Sequence, residues 1–257
     1  MSDAKPKQSS SLSGKPSKIP LFAVPTHALF APIQLHDVPN KGYAIWLIPS
    51  ADEKQHYQPL INRLAKLGDD EKGHSPSFEP HITLFAFIPL DTPIGKISDT
   101  LRQVVARVNN EASESSKAGT TFENGSGLKD FVLEILPAQS GTSYFQSVLA
   151  PVKPTATLLS LREQTVAAFS SSPSSPLSLS SLSDSKEKGG KTDDYFPHLS
   201  LFYGDCTQQK GDEIASVANK DDPTLGSGRA RVTIKELGIV RCAGKVEEWE
   251  HVDSVVL

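Results

Sequence analysis

A chain of 257 residues with 26 Lys and Arg against 30 Asp and Glu carries a formal charge of −4, which speaks against a dedicated binder of long nucleic acid or anionic membrane, because each gripped phosphate needs a cation. No stretch approaches the ~18 apolar residues of a membrane span, and Met1 to Pro20 lacks the apolar core of a secretory signal, so a soluble intracellular protein is expected. Its two cysteines, Cys206 and Cys242, are too few for a four-cysteine zinc site and read as reduced thiols.

Residues 1–40 begin Ser- and Lys-rich and continue as a run punctuated by Pro20, Pro25, Pro32 and Pro39, the composition of a flexible extension. Residues 41–257 then read as one domain, interrupted at 170–194 by an insert whose first sixteen positions hold ten serines and cannot bury enough surface to offset ordering entropy. Without these two stretches about 190 residues remain, enough for a single core. Tyr43 to Ile48 predicts a buried strand, and Ser50 and Glu53 stand at capping-box spacing before a helix with Tyr57, Leu60, Ile61, Leu64 and Leu67 on one face. Gly68 stops that helix, and Pro59 must kink it or delay its start.

A strand from His81 to Ile88 follows, then a helix with the stripe Ile97, Leu101, Val104, Val105 and Val108. Strands are expected at Phe131 to Leu136 and Tyr144 to Leu149, and a helix over Leu158 to Phe169. After the insert come a strand from His198 to Tyr203, a helix through Ile214 and Val217, and strands at Ala230 to Val240 and Val246 to His251. Strands and helices interleave twice, predicting an α+β fold with two similar lobes.

One phrase occurs twice. Phe78-Glu79-Pro80-His81-Ile82-Thr83-Leu84-Phe85 returns as Tyr195-Phe196-Pro197-His198-Leu199-Ser200-Leu201-Phe202. Alternation along a strand points His81 and Thr83 to one face and Ile82 and Leu84 to the other, and treats His198, Ser200, Leu199 and Leu201 alike. Two imidazoles and two hydroxyls meeting in a cleft suit hydrolysis of a cyclic phosphodiester: one histidine activates water, the other protonates the leaving oxygen, and Thr83 and Ser200 bind the phosphate. Zinc is the rival use of two histidines, but neither motif supplies a third ligand at suitable spacing.

The paired His-x-Thr/Ser signature resembles the 2H phosphoesterase superfamily. The longer phrases, with the opening strand Ala44 to Pro49 and the segment Tyr144 to Val148, resemble its fungal 2′,3′-cyclic nucleotide phosphodiesterase branch over about residues 43–257. That resemblance implies a bilobal fold with the cleft between pseudo-symmetric lobes, no metal and no other cofactor. It implies His81 and His198 as acid and base, Thr83 and Ser200 as phosphate ligands, and Tyr203 as a substrate contact. Strand alternation alone turns Tyr203 away from His198, so that role requires a bulge or a strand end. The implied reaction converts nucleoside 2′,3′-cyclic phosphates to 2′-phosphates and opens ADP-ribose 1″,2″-cyclic phosphate, a product of tRNA splicing, with Golgi association in fungal relatives. The implied partner is a small cyclic nucleotide, not long nucleic acid, and a monomer is expected. An RNA-end enzyme of the same superfamily and a non-catalytic nucleotide-binding module are the alternatives.

Outside the motifs, His27, His36, His56, His74 and His251 read as exposed or packing residues. The aromatics Tyr144, Phe145 and Trp249 read first as core and second as base-stacking groups. The clusters Asp69, Asp70, Glu71 and Asp221, Asp222 read as solvated turns.

Overall fold

The computed structural model describes residues 41–68, 75–117, 127–129, 131–170 and 195–257. The expected extension over 1–40, the insert beyond Ser170, the Asp69 to Glu71 cluster, His27, His36 and His74 lie outside these residues. Eight strands are described: β1 (Gly42–Pro49), β2 (Ile82–Ile88), β3 (Val132–Ile135), β4 (Gln139–Ser140), β5 (Val148–Pro151), β6 (His198–Phe202), β7 (Ala230–Cys242) and β8 (Glu250–Val256). They alternate with helices α1 (Ala51–Gly68), α2 (Ile94–Lys117), α3 (Ala156–Ser170), α4 (Gln208–Asp221) and the short α5 (Pro223–Gly226).

The strands form one antiparallel sheet in the order β3-β7-β1-β2-β6-β5-β4, with β8 sharing the outer edge of β7 with β3. The sheet curls until its flanks touch. Ile135 bridges Val152, and the Leu136 and Lys153 amides donate to the carbonyls of Pro151 and Glu134 at 2.7 and 2.9 Å. This is the α+β architecture expected. Its two halves, one centred on β1 and β7 and the other on β5 and β6, join at a single residue pair between the motif strands, Ile82 with Leu199.

Alternation sorts β1 by face, as a period of two requires. Tyr43, Ile45 and Leu47 join the main core with the helical stripes, whereas Ala44, Trp46 and Ile48 form a separate cluster with Val240 on the opposite face. The helices therefore cover one side of β1, and the motif side chains use the other.

Several local expectations need correction. Helix α1 starts at Ala51 and continues past Pro59, so the proline does not delay its start, and it forgoes the hydrogen bond a proline nitrogen cannot make. Its buried stripe ends at Ala65, leaving Leu67 38 % exposed. Glu53 does not complete a capping box: its amide donates to Ser50 Oγ at 3.4 Å, while its carboxylate accepts from the Thr233 amide at 3.0 Å. The predicted strands at Tyr144 and Val246 open as single 3-10 turns, Tyr144–Gln146 and Val246–Glu248, and extended structure begins only afterwards. Asp222 is buried rather than solvated, caps α5 through the Thr224 and Leu225 amides, and pairs with His56 Nε2 at 2.8 Å. With Arg63–Asp221 at 2.9 Å, that pair fastens α1 to the end of α4.

Candidate active site

Strand β2 buries Ile82 and Leu84 in the core and turns His81 and Thr83 toward the face that carries Trp46. Trp46 is the ladder partner of Thr83, one diagonal step from His81. Its indole lies flat on the His81 ring, with centroids 3.6 Å apart and planes 9° from parallel. His81 is fully buried as a result.

The two histidines are held by the same local device. His81 Nδ1 sits 2.6 Å from the carbonyl oxygen of Glu79, and His198 Nδ1 sits 2.9 Å from that of Phe196, each two residues upstream. A carbonyl only accepts, so each Nδ1–H donates and each Nε2 is left for chemistry. Both upstream turns follow from the proline that precedes each histidine, which holds the residue before it out of helical geometry. The antiparallel pair Ile82 with Leu199 then places His81 across from Ser200 and Thr83 across from His198. Each imidazole thus faces the hydroxyl of the other motif.

Tyr203 meets the condition that strand alternation sets. Strand β6 ends at Phe202, and its pairing with β5 slips, Phe202 opposite Val148 but Ser200 opposite Leu149, so one extra residue reverses the alternation. The Tyr203 hydroxyl lies 3.2 Å from His81 Nε2 and also bonds the Ser200 side chain. Its ring stacks on Phe78 with centroids 4.0 Å apart.

Burial controls the electrostatics. Removal from water pushes the His81 pKa down to about 3; the Glu79 carbonyl works against that shift, and the neighbouring His198 adds to it. Burial also lowers His198, again opposed by its backbone carbonyl, and raises Tyr203 so that its hydroxyl keeps its proton. Behind His81, the Glu79 carboxylate is held by Lys54 Nζ at 2.9 Å, with His251 Nδ1 3.8 Å away. His251 therefore packs against the residue that anchors a motif histidine, and His56 braces the α1–α4 contact.

A cavity of about 520 Å³ joins these groups. His81, Thr83, His198, Ser200 and Tyr203 all line it, so the structure brings every predicted site residue together. Phe145 and Trp249 line it too, stacked on each other with centroids 5.7 Å apart, while Tyr144 does not. Among the described residues no His, Cys, Asp or Glu joins the histidines to make a three-ligand metal set. Sequence reasoning passed over Trp46, Gln146 and Arg162, which also line the cavity. Trp46 had a visible signal, an indole in a strand otherwise made mostly of aliphatic residues, but its place against His81 depends on a pairing 37 positions away.

Fold and site together define an α+β protein that presents paired histidine-hydroxyl motifs in one cavity of a curled antiparallel sheet. The family model for cyclic phosphodiesterase-like proteins matches residues 41–257, and the chain belongs to that family. It is also similar to a protein of Yarrowia lipolytica named 2′,3′-cyclic-nucleotide 3′-phosphodiesterase, 26% identical over 229 residues that span 81% of this chain and 96% of the relative. Among the described residues no helix is long and apolar enough to cross a membrane.

Proposed function

We propose that the protein hydrolyses nucleoside 2′,3′-cyclic phosphates to nucleoside 2′-phosphates by acid/base catalysis between His81 and His198, without a metal. The observation that carries this reading is the matched presentation of two Nε2 atoms, each opposite the other motif's hydroxyl, at one ladder pair. One neutral imidazole takes a proton from water as the water oxygen attacks phosphorus. The protonated imidazole gives its proton to the 3′ oxygen as the phosphorus–oxygen bond breaks. Thr83 and Ser200 donate to the non-bridging oxygens, where negative charge builds up. The Tyr203 hydroxyl orients His81 Nε2 and, freed by substrate, contacts the phosphate.

ADP-ribose 1″,2″-cyclic phosphate, opened to ADP-ribose 1″-phosphate, fits the same chemistry. The substrate is a small cyclic ester rather than long nucleic acid, since Arg162 is the sole Lys or Arg on the cavity lining among the described residues.

The test is incubation of the purified protein with 2′,3′-cyclic nucleotides and ADP-ribose 1″,2″-cyclic phosphate in EDTA, with products resolved against 1″-, 2′- and 3′-phosphate standards. Turnover to a single regioisomer supports the reading. Binding without product at any pH from 5 to 9 replaces it with a nucleotide-binding module.

A further inference from the structure

Resting on the phosphodiesterase reading, we propose that Tyr195 and Arg162 are positioning residues for Thr83. Together they hold the backbone of β2 where its pairing with both neighbouring strands lapses, and so aim the Thr83 hydroxyl at the phosphate.

Thr83 stands where β2 loses regular support from either side. Toward β6 the ladder is the one pair Ile82 with Leu199, and Thr83 lies beyond it. Toward β1 the register slips at the next step: Thr83 faces Trp46 but Phe85 faces Ile45, so Leu84 is the extra residue of a bulge. A second slip follows before Ile88, and within it Phe87 takes a φ of 70° and leaves its ring 49 % exposed. The other motif hydroxyl is placed differently. Strand β6 pairs with β5 at His198, Leu199 and Ser200, and the Tyr203 hydroxyl bonds the Ser200 side chain. The sheet secures Ser200 and leaves Thr83 to be secured by other groups.

Two side chains that line the cavity do this. The Tyr195 hydroxyl donates to the Thr83 carbonyl at 3.1 Å, and the Arg162 guanidinium donates to the next carbonyl, that of Leu84, at 2.8 Å. Each carbonyl belongs to a rigid peptide plane, and the first of the two planes carries the Thr83 Cα, so anchoring both restricts the direction in which the Thr83 side chain leaves the strand. Arg162 reaches over from α3 and lies 5.3 and 5.0 Å from the ring centroids of Phe85 and Tyr195. The attraction of one cation to both rings keeps the tyrosine in place beside β2. Burial keeps the Tyr195 hydroxyl protonated, and therefore a donor, against the opposing effect of the Arg162 charge.

The repeated phrase itself marks Tyr195. It occupies the place of Phe78 in the first copy, three residues before the histidine, and differs from it by the hydroxyl. Phe78 stacks on Tyr203, whereas Tyr195 uses its extra oxygen on the backbone of the other motif. Tyr203 also reaches across, to His81 Nε2. The two tyrosines that flank the second motif therefore both act on the first, one on its imidazole and one on the residue that carries its hydroxyl.

The experiment measures kcat and KM for adenosine 2′,3′-cyclic phosphate in Tyr195→Phe and Arg162→Met, each alone and combined with Thr83→Val or with Ser200→Ala. Tyr195→Phe removes one oxygen and keeps the ring beside Arg162, so Tm should stay within a few degrees of the intact chain while kcat falls about 3- to 10-fold and KM changes little. Arg162→Met should lower kcat at least as much, and Arg162→Lys should restore little, because an ammonium lacks the planar fork that spans ring and carbonyl. With Thr83→Val neither substitution should lower kcat further, since no hydroxyl is left to aim, whereas with Ser200→Ala each should keep its full effect. Equal losses in the two backgrounds, unchanged kcat in Tyr195→Phe, or a loss that only tracks the fraction of folded protein overturns the proposal. An intact chain that turns over no cyclic nucleotide overturns the phosphodiesterase reading on which the proposal rests.

Discussion

Trp46 stacks on His81, their ring planes 9° from parallel and their centroids 3.6 Å apart, and the contact is part of the burial that keeps the imidazole neutral. An imidazole sealed by an indole and fully buried cannot be hydrated, so its proton affinity falls to a pKa of about 3. The unfolded chain protonates the same group near 6.5. Below that pH the unfolded state binds a proton that the native state refuses. The stability tied to neutral His81 is thus fully present above pH ~6.5 and is lost as pH falls toward 3, by about 1.4 kcal/mol per unit. Urea unfolding at pH 7, 5.5 and 4.5 should show this slope in the intact chain and a shallower one in His81→Gln. Identical slopes would mean that His81 takes up its proton in the folded state.

The same contact makes Trp46 a positioning residue. Trp46→Ala should remove about 3–5 kcal/mol of stability, the usual cost of truncating a buried indole. Trp46→Phe keeps a ring over His81 and should retain most of it. Water that reaches the imidazole in Trp46→Ala should also raise the His81 pKa toward 6.5, which long-range nitrogen–proton NMR spectra report directly. A His81 titration unmoved by the substitution would assign the shift to other neighbours.

Removal of either motif imidazole tests the chemistry itself. His81→Ala and His198→Ala should each lose at least ~100-fold in kcat, because each deletes one proton-transfer partner. The intact protein should show a bell-shaped dependence of kcat/KM on pH, since one imidazole must be neutral while the other is charged. Thermal unfolding above pH 7 checks that the variants fold. Full activity in either folded variant removes that histidine from the mechanism.

Tyr203 shows where the sequence was readable and where it was not. The motif histidines and their hydroxyls were legible because a period of two is local, and four residues suffice to put His81 with Thr83 and His198 with Ser200. The main helices were legible for a similar reason: Ile97 to Val108 is a stripe that one helix carries by itself. Tyr203 defied the local rule because the bulge opposite Val148 and Leu149 is set by β5, some fifty positions earlier. Trp46 on His81, Arg162 beside Leu84 and the exposed ring of Phe87 are likewise products of long-range register. The 3-10 turns at Tyr144 and Val246 escaped because their hydrogen bonds are not those of a strand: the Tyr144 carbonyl accepts from the distant Gly204 amide at 3.1 Å, and the Glu248 and Trp249 amides donate to the Lys245 and Val246 carbonyls at 3.0 and 3.1 Å.

Tyr203→Phe separates the hydroxyl from the ring. The ring stacks on Phe78 and meets Phe145 edge-on, so the variant should fold with little change in Tm. The hydroxyl that reaches His81 Nε2 is lost, and a net hydrogen bond of about 0.5–1.5 kcal/mol corresponds to a fall of about 2- to 12-fold in kcat/KM. A loss confined to Tm would reduce Tyr203 to a packing residue.

Glu79 poses the most demanding test, because its backbone and its side chain do different things. Its carbonyl accepts from His81 Nδ1, a bond no side-chain substitution removes, while its carboxylate ties that segment to Lys54 on α1 and lies near His251 on β8. Lys54 and Glu79 are each about one-third exposed, so the ion pair contributes under ~1 kcal/mol to stability. Orientation is a different matter, since small displacements of a catalytic group cost rate steeply. Glu79→Gln and Lys54→Met should therefore leave Tm within a few degrees of the intact chain yet lower kcat by about 3- to 10-fold with KM little changed. The double variant should lose no more than the worse single variant, because both break one tether. Losses that multiply in the double variant would show that Lys54 and Glu79 act on the site separately.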